Sequence, residues 1–227
     1  MTQGLLSRRE QEIFQTLRAL SECSFVVIGG YAVNAYALPR FSADCDIVVK
    51  EDSELKKIEK LLRKGGYTRT ETDAGSQKAG TFSRHEKKLH DNFAVSLDIL
   101  VHGVADRMTG ARFTAEWVFE NSSRRALKGK TIAEELELRI INIDALLVMK
   151  IVSCRPTDIR DVFMMAPYAN DKERIKSEIA RRCDLKDRIT RLIETVTSKQ
   201  FKDGLSGVYG YVDPQVFEKH KKSIITL

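Results

Sequence analysis

An apolar run that ends in two glycines, Phe25-Val26-Val27-Ile28-Gly29-Gly30, is the feature that most constrains this chain. Consecutive β-branched residues read as a buried strand, and the glycines as the tight turn where it stops. A second apolar run opens on Asp44-Cys45-Asp46 and continues through Ile47-Val48-Val49. Side chains alternate along a strand, so Asp44 and Asp46 share one face and Cys45 points to the other. Two carboxylates on one face repel unless a cation lies between them, and hard oxygen ligands suit Mg²⁺ or Mn²⁺. Asp98 stands inside a further apolar strand, Ala94 to Val101, where a buried charge without a partner is costly. It is a candidate third ligand. The three carboxylates point to metal-assisted phosphoryl or nucleotidyl transfer.

The rest of the chain divides coarsely. Ser7-x-x-Glu10 reads as a capping box opening a helix with Ile13, Phe14, Leu17 and Leu20 on its apolar face. Tyr31 to Leu38 reads as a short helix stopped by Pro39. Leu55, Ile58, Leu61 and Leu62 mark a helix ending at Gly65-Gly66. Strands are expected near Tyr67–Thr72, Gly80–His85 and Phe93–Val101. A poorly patterned stretch runs from Gly103 to about Lys130, followed by a strand at Leu138–Ile143. Helical periodicity then takes over at Asp144, with a helix over Ile159–Met165 and two basic ones near Lys172–Arg182 and Lys186–Gln200. The tail from Phe201, with Gly204, Gly207, Gly210 and Pro214, reads as irregular. The expected architecture is α+β, an N-terminal α/β domain over residues 1–135, then a mostly helical domain over 136–227.

Composition narrows the partners. In 227 residues no apolar run approaches the ~20 a membrane helix needs. The opening residues lack a signal-peptide apolar region, and a cytoplasmic protein is expected. Cys23, Cys45, Cys154 and Cys183 lack Cys-x-x-Cys spacing and read as reduced thiols. A net charge of +6 and a pI near 9.1 favour an anionic partner, such as a nucleoside triphosphate or RNA. His85, His90, His102 and His220 show no zinc-like spacing and read as surface residues or as neighbours of a site.

The order of these elements resembles the DNA polymerase beta nucleotidyltransferase superfamily. More closely it is similar to the abortive-infection (AbiEii) type of stand-alone nucleotidyltransferase of prokaryotic toxin–antitoxin systems. The matching positions are Gly29, Gly30, Ala32, Pro39, Arg40, Ser42, Asp44, Asp46 and Ile47, then Asp98. Lys150, followed by Arg155-x-x-Asp158-x-x-Asp161, is similar to a further signature of the same group. The likeness spans roughly Phe25 to Val162. It implies a nucleotidyltransferase-type mixed sheet and transfer of a nucleoside monophosphate from an NTP, ATP among them, to an acceptor hydroxyl or phosphate. The acceptor would be tRNA, a protein or a small molecule, and a cognate antitoxin is an implied partner.

Roles follow residue by residue. Asp44, Asp46 and Asp98 are the expected metal ligands and catalytic carboxylates. Gly29 and Gly30, lacking Cβ, would let backbone N–H groups approach phosphate, and Arg40, Ser42 and Lys150 are expected nucleotide contacts. Arg155, Asp158 and Asp161 would orient Lys150 or the acceptor. Each has a plainer alternative: a strand–turn–helix corner for the glycines, a buried residue satisfied by backbone donors or an arginine for Asp98, a salt bridge to Asp158 or Asp161 for Lys150. Two departures from the pattern stand out, Gly30 where minimal nucleotidyltransferases carry Ser, and Thr157 where a basic residue is frequent. A haloacid-dehalogenase-like phosphatase also uses Asp-x-Asp, but there the first Asp ends the opening strand, whereas here a Gly-Gly strand precedes the pair. A catalytically inactive fold serving as a binding partner or antitoxin is the non-enzymatic alternative.

Overall fold

The computed structural model describes residues 2–70, 81–90 and 93–227. Two compact units emerge. The first comprises residues 1–35, 41–105 and 113–141, and the second residues 36–40, 106–112 and 142–227.

The first unit is built on a seven-stranded mixed sheet. Its strands are β1 (Val26–Ile28), β2 (Asp44–Val49), β3 (Thr68–Thr70), β4 (Thr81–His90), β5 (Phe93–Val101), β8 (Ser122–Lys128) and β9 (Glu135–Ile141). They lie in the order β3-β4-β5-β2-β1-β9-β8. A two-stranded ribbon joins β6 (Gly103–Ala105) to β7 (Arg112–Thr114). The centre of the large sheet holds the apolar runs: Val26, Val27, Ile47, Val48, Leu97, Ile99 and Ile140 are all buried. Strand β2 runs parallel to β5 and antiparallel to β1, while β9 runs parallel to β1. The strand read at Leu138–Ile143 therefore completes this sheet as β9.

Helices α1 (Thr2–Ala19), α2 (Gly29–Val33), α3 (Asp52–Lys64) and α4 (Ala115–Glu120) complete the unit. The apolar face of α1 is as expected, with Ile13, Phe14, Leu17 and Leu20 buried. Its start is not. The helix begins at Thr2, so Ser7 and Glu10 lie within it. Glu10 is buried and caps nothing locally; its carboxylate accepts from the Lys130 and Thr131 N–H groups at 2.6 and 2.8 Å and from the Thr131 hydroxyl at 2.6 Å. Helix α2 is shorter than the expected Tyr31–Leu38, beginning at Gly29 and ending at Val33. Parts of the strands expected at Tyr67–Thr72 and Gly80–His85, namely positions 71, 72 and 80, lie outside the described residues.

The second unit is helical: α5 (Ile143–Ser153), α6 (Pro156–Met165), α7 (Lys172–Ala180), α8 (Leu185–Thr197), α9 (Lys199–Tyr209) and α10 (Pro214–Ile225). The tail is thus two helices rather than irregular chain. Ser198 caps α9 by accepting from the Phe201 N–H, and Asp213 caps α10, with Pro214 at its first turn. Both helices pay into one aromatic cluster, in which Phe201 and Phe217 lie 5.2 and 5.1 Å from the Phe163 ring. His220 joins them, its Nδ1 paired with the Phe163 carbonyl at 2.9 Å. Burial lowers its pKa below the ordinary histidine value.

Candidate active site

Strand alternation and register build the acidic face of the first unit. Asp44 and Asp46 lie on β2, and Asp46 pairs directly with Asp98 on β5. Residues opposite one another project to the same side, so all three carboxylates rise from one face of the sheet. Asp44 and Asp46 are half-buried, whereas Asp98 is 4 % exposed.

Gly29 faces this cluster. It follows β1 and opens α2 with φ +65°, in the left-handed region that costs an L side chain strain. A Cβ added there would stand 2.0 Å from Asp46 Oδ2, well inside van der Waals contact. Glycine is therefore required by the carboxylate of β2 as well as by the turn. Gly29→Ala is expected to lower stability by about 1–2 kcal/mol, from the left-handed backbone alone, and to displace Asp46. A thermal melt and a Mn²⁺ titration check it, and an unchanged melting temperature would contradict this account of the turn. Gly30 is buried within α2. Ser42 sits half-buried in the loop that leads into β2.

Arg84, a residue the sequence did not single out, completes this face. It lies on β4 directly opposite Asp98. Its Nε donates to Asp98 Oδ1 at 2.8 Å and its Nη2 to Oδ2 at 2.7 Å. The same Nη2 reaches Asp44 Oδ2 at 3.4 Å. Asp98 is therefore partnered by an arginine fork, the strong bidentate form of a charge-assisted pair. The hydrogen bond to Asp98 is the main cause of a guanidinium pKa raised above its ordinary value. The register of β4 with β5 would have found Arg84, had the pairing been known.

On the other side of β4, Ser83 and His85 are buried. His85 Nε2 lies 2.8 Å from Ser83 Oγ and 3.5 Å from Glu59 Oε1. Burial lowers its pKa. Both His85 and His220 are thus interior residues, so of their two readings the surface one does not hold for them.

The remaining expected site residues gather in the second unit. Arg40 holds Asp161 by a fork, Nε to Oδ1 and Nη2 to Oδ2, each at 2.6 Å. Lys150 Nζ lies 2.8 Å from Asp161 Oδ2 and 3.0 Å from Asp158 Oδ1. All three charges at the centre are interior: Asp161 is 0 %, Arg40 7 % and Lys150 7 % exposed. Burial alone would raise the Asp161 pKa, but Lys150 and Arg40 outweigh it and hold the carboxyl below its ordinary value. Burial likewise works against the Lys150 ammonium, and Asp161 and Asp158 more than restore it. Lys150 thus makes the salt bridges that its plainer reading foresaw.

These residues do not lie along one helix. Lys150 is on α5 and Asp158 and Asp161 on α6, with the chain turning at Cys154, φ +52°. Pro156 occupies the first turn of α6, where its missing N–H costs nothing. Arg155 reaches Asp106 Oδ1 at 3.3 Å. Asp106 is held in turn by the N–H groups of Met108 and Thr109 and the Thr109 hydroxyl, at 3.1, 2.8 and 2.8 Å.

No protein-family model and no curated protein matches this sequence. Solved structures do. MenT4, a nucleotidyltransferase toxin from Mycobacterium tuberculosis, aligns over 99 % of this chain and 88 % of its own, at 15 % identity and a TM-score of 0.57. The enzyme ANT(2")-Ia, solved in complex with adenylyl-2"-tobramycin, aligns over 80 % of this chain and 98 % of its own, at 17 % identity and a TM-score of 0.50. JHP933 from Helicobacter pylori aligns over 97 % and 89 %, at 14 % identity and a TM-score of 0.50. The chain has the nucleotidyltransferase fold. At such identities the likeness concerns architecture, a mixed sheet with flanking helices followed by helices. In this nucleotidyltransferase fold, the carboxylates of β2 and β5 lie on neighbouring parallel strands. No helix among the described residues is long and apolar enough to cross a membrane.

Proposed function

We propose that the chain is a divalent-cation-dependent nucleotidyltransferase that moves a nucleoside monophosphate from an NTP to an acceptor hydroxyl or phosphate. The observation that carries this is the register placing Asp44, Asp46 and Asp98 on one face of the sheet, beside the Gly29 turn. Three carboxylates on one sheet face have no packing use, and Arg84 offsets only part of their repulsion.

The donors fit Mg²⁺ or Mn²⁺: hard carboxylate oxygens, two of them half-buried, with a resident cation already drawn to them in Arg84. Among the described residues no three acidic, histidine or cysteine side chains stand close enough together as placed to hold an ion. Asp98 is turned onto Arg84. Asp44 and Asp46 would hold the cation, with Asp98 joining once released from the guanidinium. A bound divalent ion supplies charge neutralisation for the triphosphate and acidifies the attacking hydroxyl.

Within the reaction, the acceptor oxygen attacks the α-phosphorus, the bond to the bridging oxygen breaks and pyrophosphate leaves. Asp98, buried beside Arg84, is the base assigned to take the acceptor proton. The Gly29-Gly30 turn and Ser42, flanking Asp46 and Asp44, are assigned to the phosphates. Arg40, Lys150, Arg155, Asp158 and Asp161 form the ion network of the second unit, and their proposed part is to hold α5, α6 and the 36–40 segment rigid. A basic chain of pI near 9.1 suits an RNA acceptor, and a protein or small-molecule hydroxyl is tested beside it. The likeness to MenT4, a nucleotidyltransferase toxin, supports a toxin role, and a cognate antitoxin and a cytoplasmic setting are proposed with it.

Incubation with each of the four NTPs labelled at the α-phosphate, with Mg²⁺ and in turn tRNA, total protein or an aminoglycoside, identifies the acceptor. Label on one class is the expected result. Label on none, with binding of an unidentified protein instead, favours the inactive binding-partner reading, which the closed Asp98–Arg84 pair otherwise supports.

A further inference from the structure

Arg84 spans three strands. It rises from β4, grips Asp98 on β5 with both arms, and extends the same Nη2 to Asp44 on β2. A cross-strand pair placed only for sheet stability needs one partner. This guanidinium takes two, and both belong to the carboxylate set assigned above to the divalent cation. The third member, Asp46, is paired in register with Asp98.

We propose that Arg84 is the positioning residue of this centre and the competitor of its cation. In the cation-free protein it orients Asp98 and offsets one of the two negative charges of Asp98 and Asp44. Cation loading and release of the guanidinium from Asp44 and Asp98 are then one linked equilibrium, because the same oxygens cannot serve both. The fork geometry explains why arginine and not lysine stands here: it holds both oxygens of Asp98 in a fixed plane while leaving an edge for Asp44. The inference rests on the reading of Asp44, Asp46 and Asp98 as a divalent-cation centre.

The test uses the full chain, with no nucleotide present, as wild type, Arg84→Met, Arg84→Lys and Asp46→Asn. MnCl₂ is titrated calorimetrically, and thermal melts are run in EDTA and in Mn²⁺. Arg84→Met is expected to bind Mn²⁺ at least about tenfold more tightly than wild type, a change of about 1.4 kcal/mol. Its melting temperature, lowered in EDTA by the unpaired Asp98, should recover in Mn²⁺ by more than the wild type gains. Arg84→Lys, which keeps the charge and loses the fork, should bind several-fold more tightly than wild type, and it decides the matter if the methionine variant does not fold. A lowered melting temperature that Mn²⁺ does not restore, with unchanged or weaker affinity, overturns the proposal and leaves the metal centre standing. Absence of Mn²⁺ binding by the wild type and every variant, Asp46→Asn included, overturns the metal centre itself.

Discussion

Asp46→Asn is expected to lower nucleotidyl transfer by about a thousandfold or more while the protein stays folded. The substitution keeps the shape that meets Gly29 and removes one of the two half-buried charges of β2. A divalent ion supplies several kcal/mol of charge stabilisation to such a transition state. Loss of about 4 kcal/mol corresponds to ~10³ in rate, at 1.36 kcal/mol per tenfold. Folding should hardly suffer, because neutralising one member of a repelling cluster removes a cost, and the Arg84–Asp98 pair remains. Label transfer and a thermal melt on one preparation check both halves. Transfer at near wild-type rate by the folded variant would remove Asp46 from the site.

Asp161→Asn should do the opposite, with its effect on stability. Asp161 is fully buried and holds two interior cations, Arg40 at 2.6 Å and Lys150 at 2.8 Å. Removing the charge leaves Arg40 without its carboxylate and Lys150 with Asp158 alone. Breaking a buried pair in this way costs about 3–5 kcal/mol, or roughly 10 °C in melting temperature for a chain of this size. The pH dependence carries the same signature. The Asp161 carboxyl is held below its ordinary pKa in the folded state, so its contribution is present above the unfolded value near 3.8 and is lost as pH falls through the lower folded one. Lys150 is raised, so its contribution is present below its unfolded value of 10.5 and is lost as pH rises through the higher folded one. Wild-type stability should therefore hold across the neutral range as far as this network is concerned. In Asp161→Asn the acid-dependent loss should shrink. Melts at pH 7 and pH 3 on both proteins measure the difference, and an equal acid-dependent loss would show that Asp161 does not set it.

Much of the first unit was legible because its central strands are short apolar runs, along which side chains alternate with a period of two. That periodicity puts Asp44 and Asp46 on one face before any pairing is known. Arg84 was hidden for the complementary reason. The β4 segment Phe82-Ser83-Arg84-His85-Glu86-Lys87-Lys88 is largely polar, and its meaning lies in a cross-strand register that no local pattern encodes. The Lys150 network is spread over the fold in a similar way. Lys150 stands eight and eleven residues before Asp158 and Asp161, and a left-handed residue at Cys154 places them on two helices. Arg40, far away in sequence, supplies the decisive partner.

The tail misled through glycine. Gly204 and Gly207 each cost about 1 kcal/mol in a helix relative to alanine, yet both sit within α9 in open space. Burial of Leu205 and the packing of Phe201 on Phe163 override that local preference. The Asp213-Pro214 pair was the missed signal, an N-cap followed by proline at the first helical position.

The most direct test of the central claim compares two labels on one substrate. The full chain is incubated with Mg²⁺ and its acceptor, once with NTP labelled at the α-phosphate and once at the γ-phosphate, beside Asp44→Asn. The account predicts α-label on the acceptor, γ-label released as pyrophosphate, and neither event in the variant. Label reaching the acceptor from the γ-phosphate, or α-label transferred equally by Asp44→Asn, would contradict it.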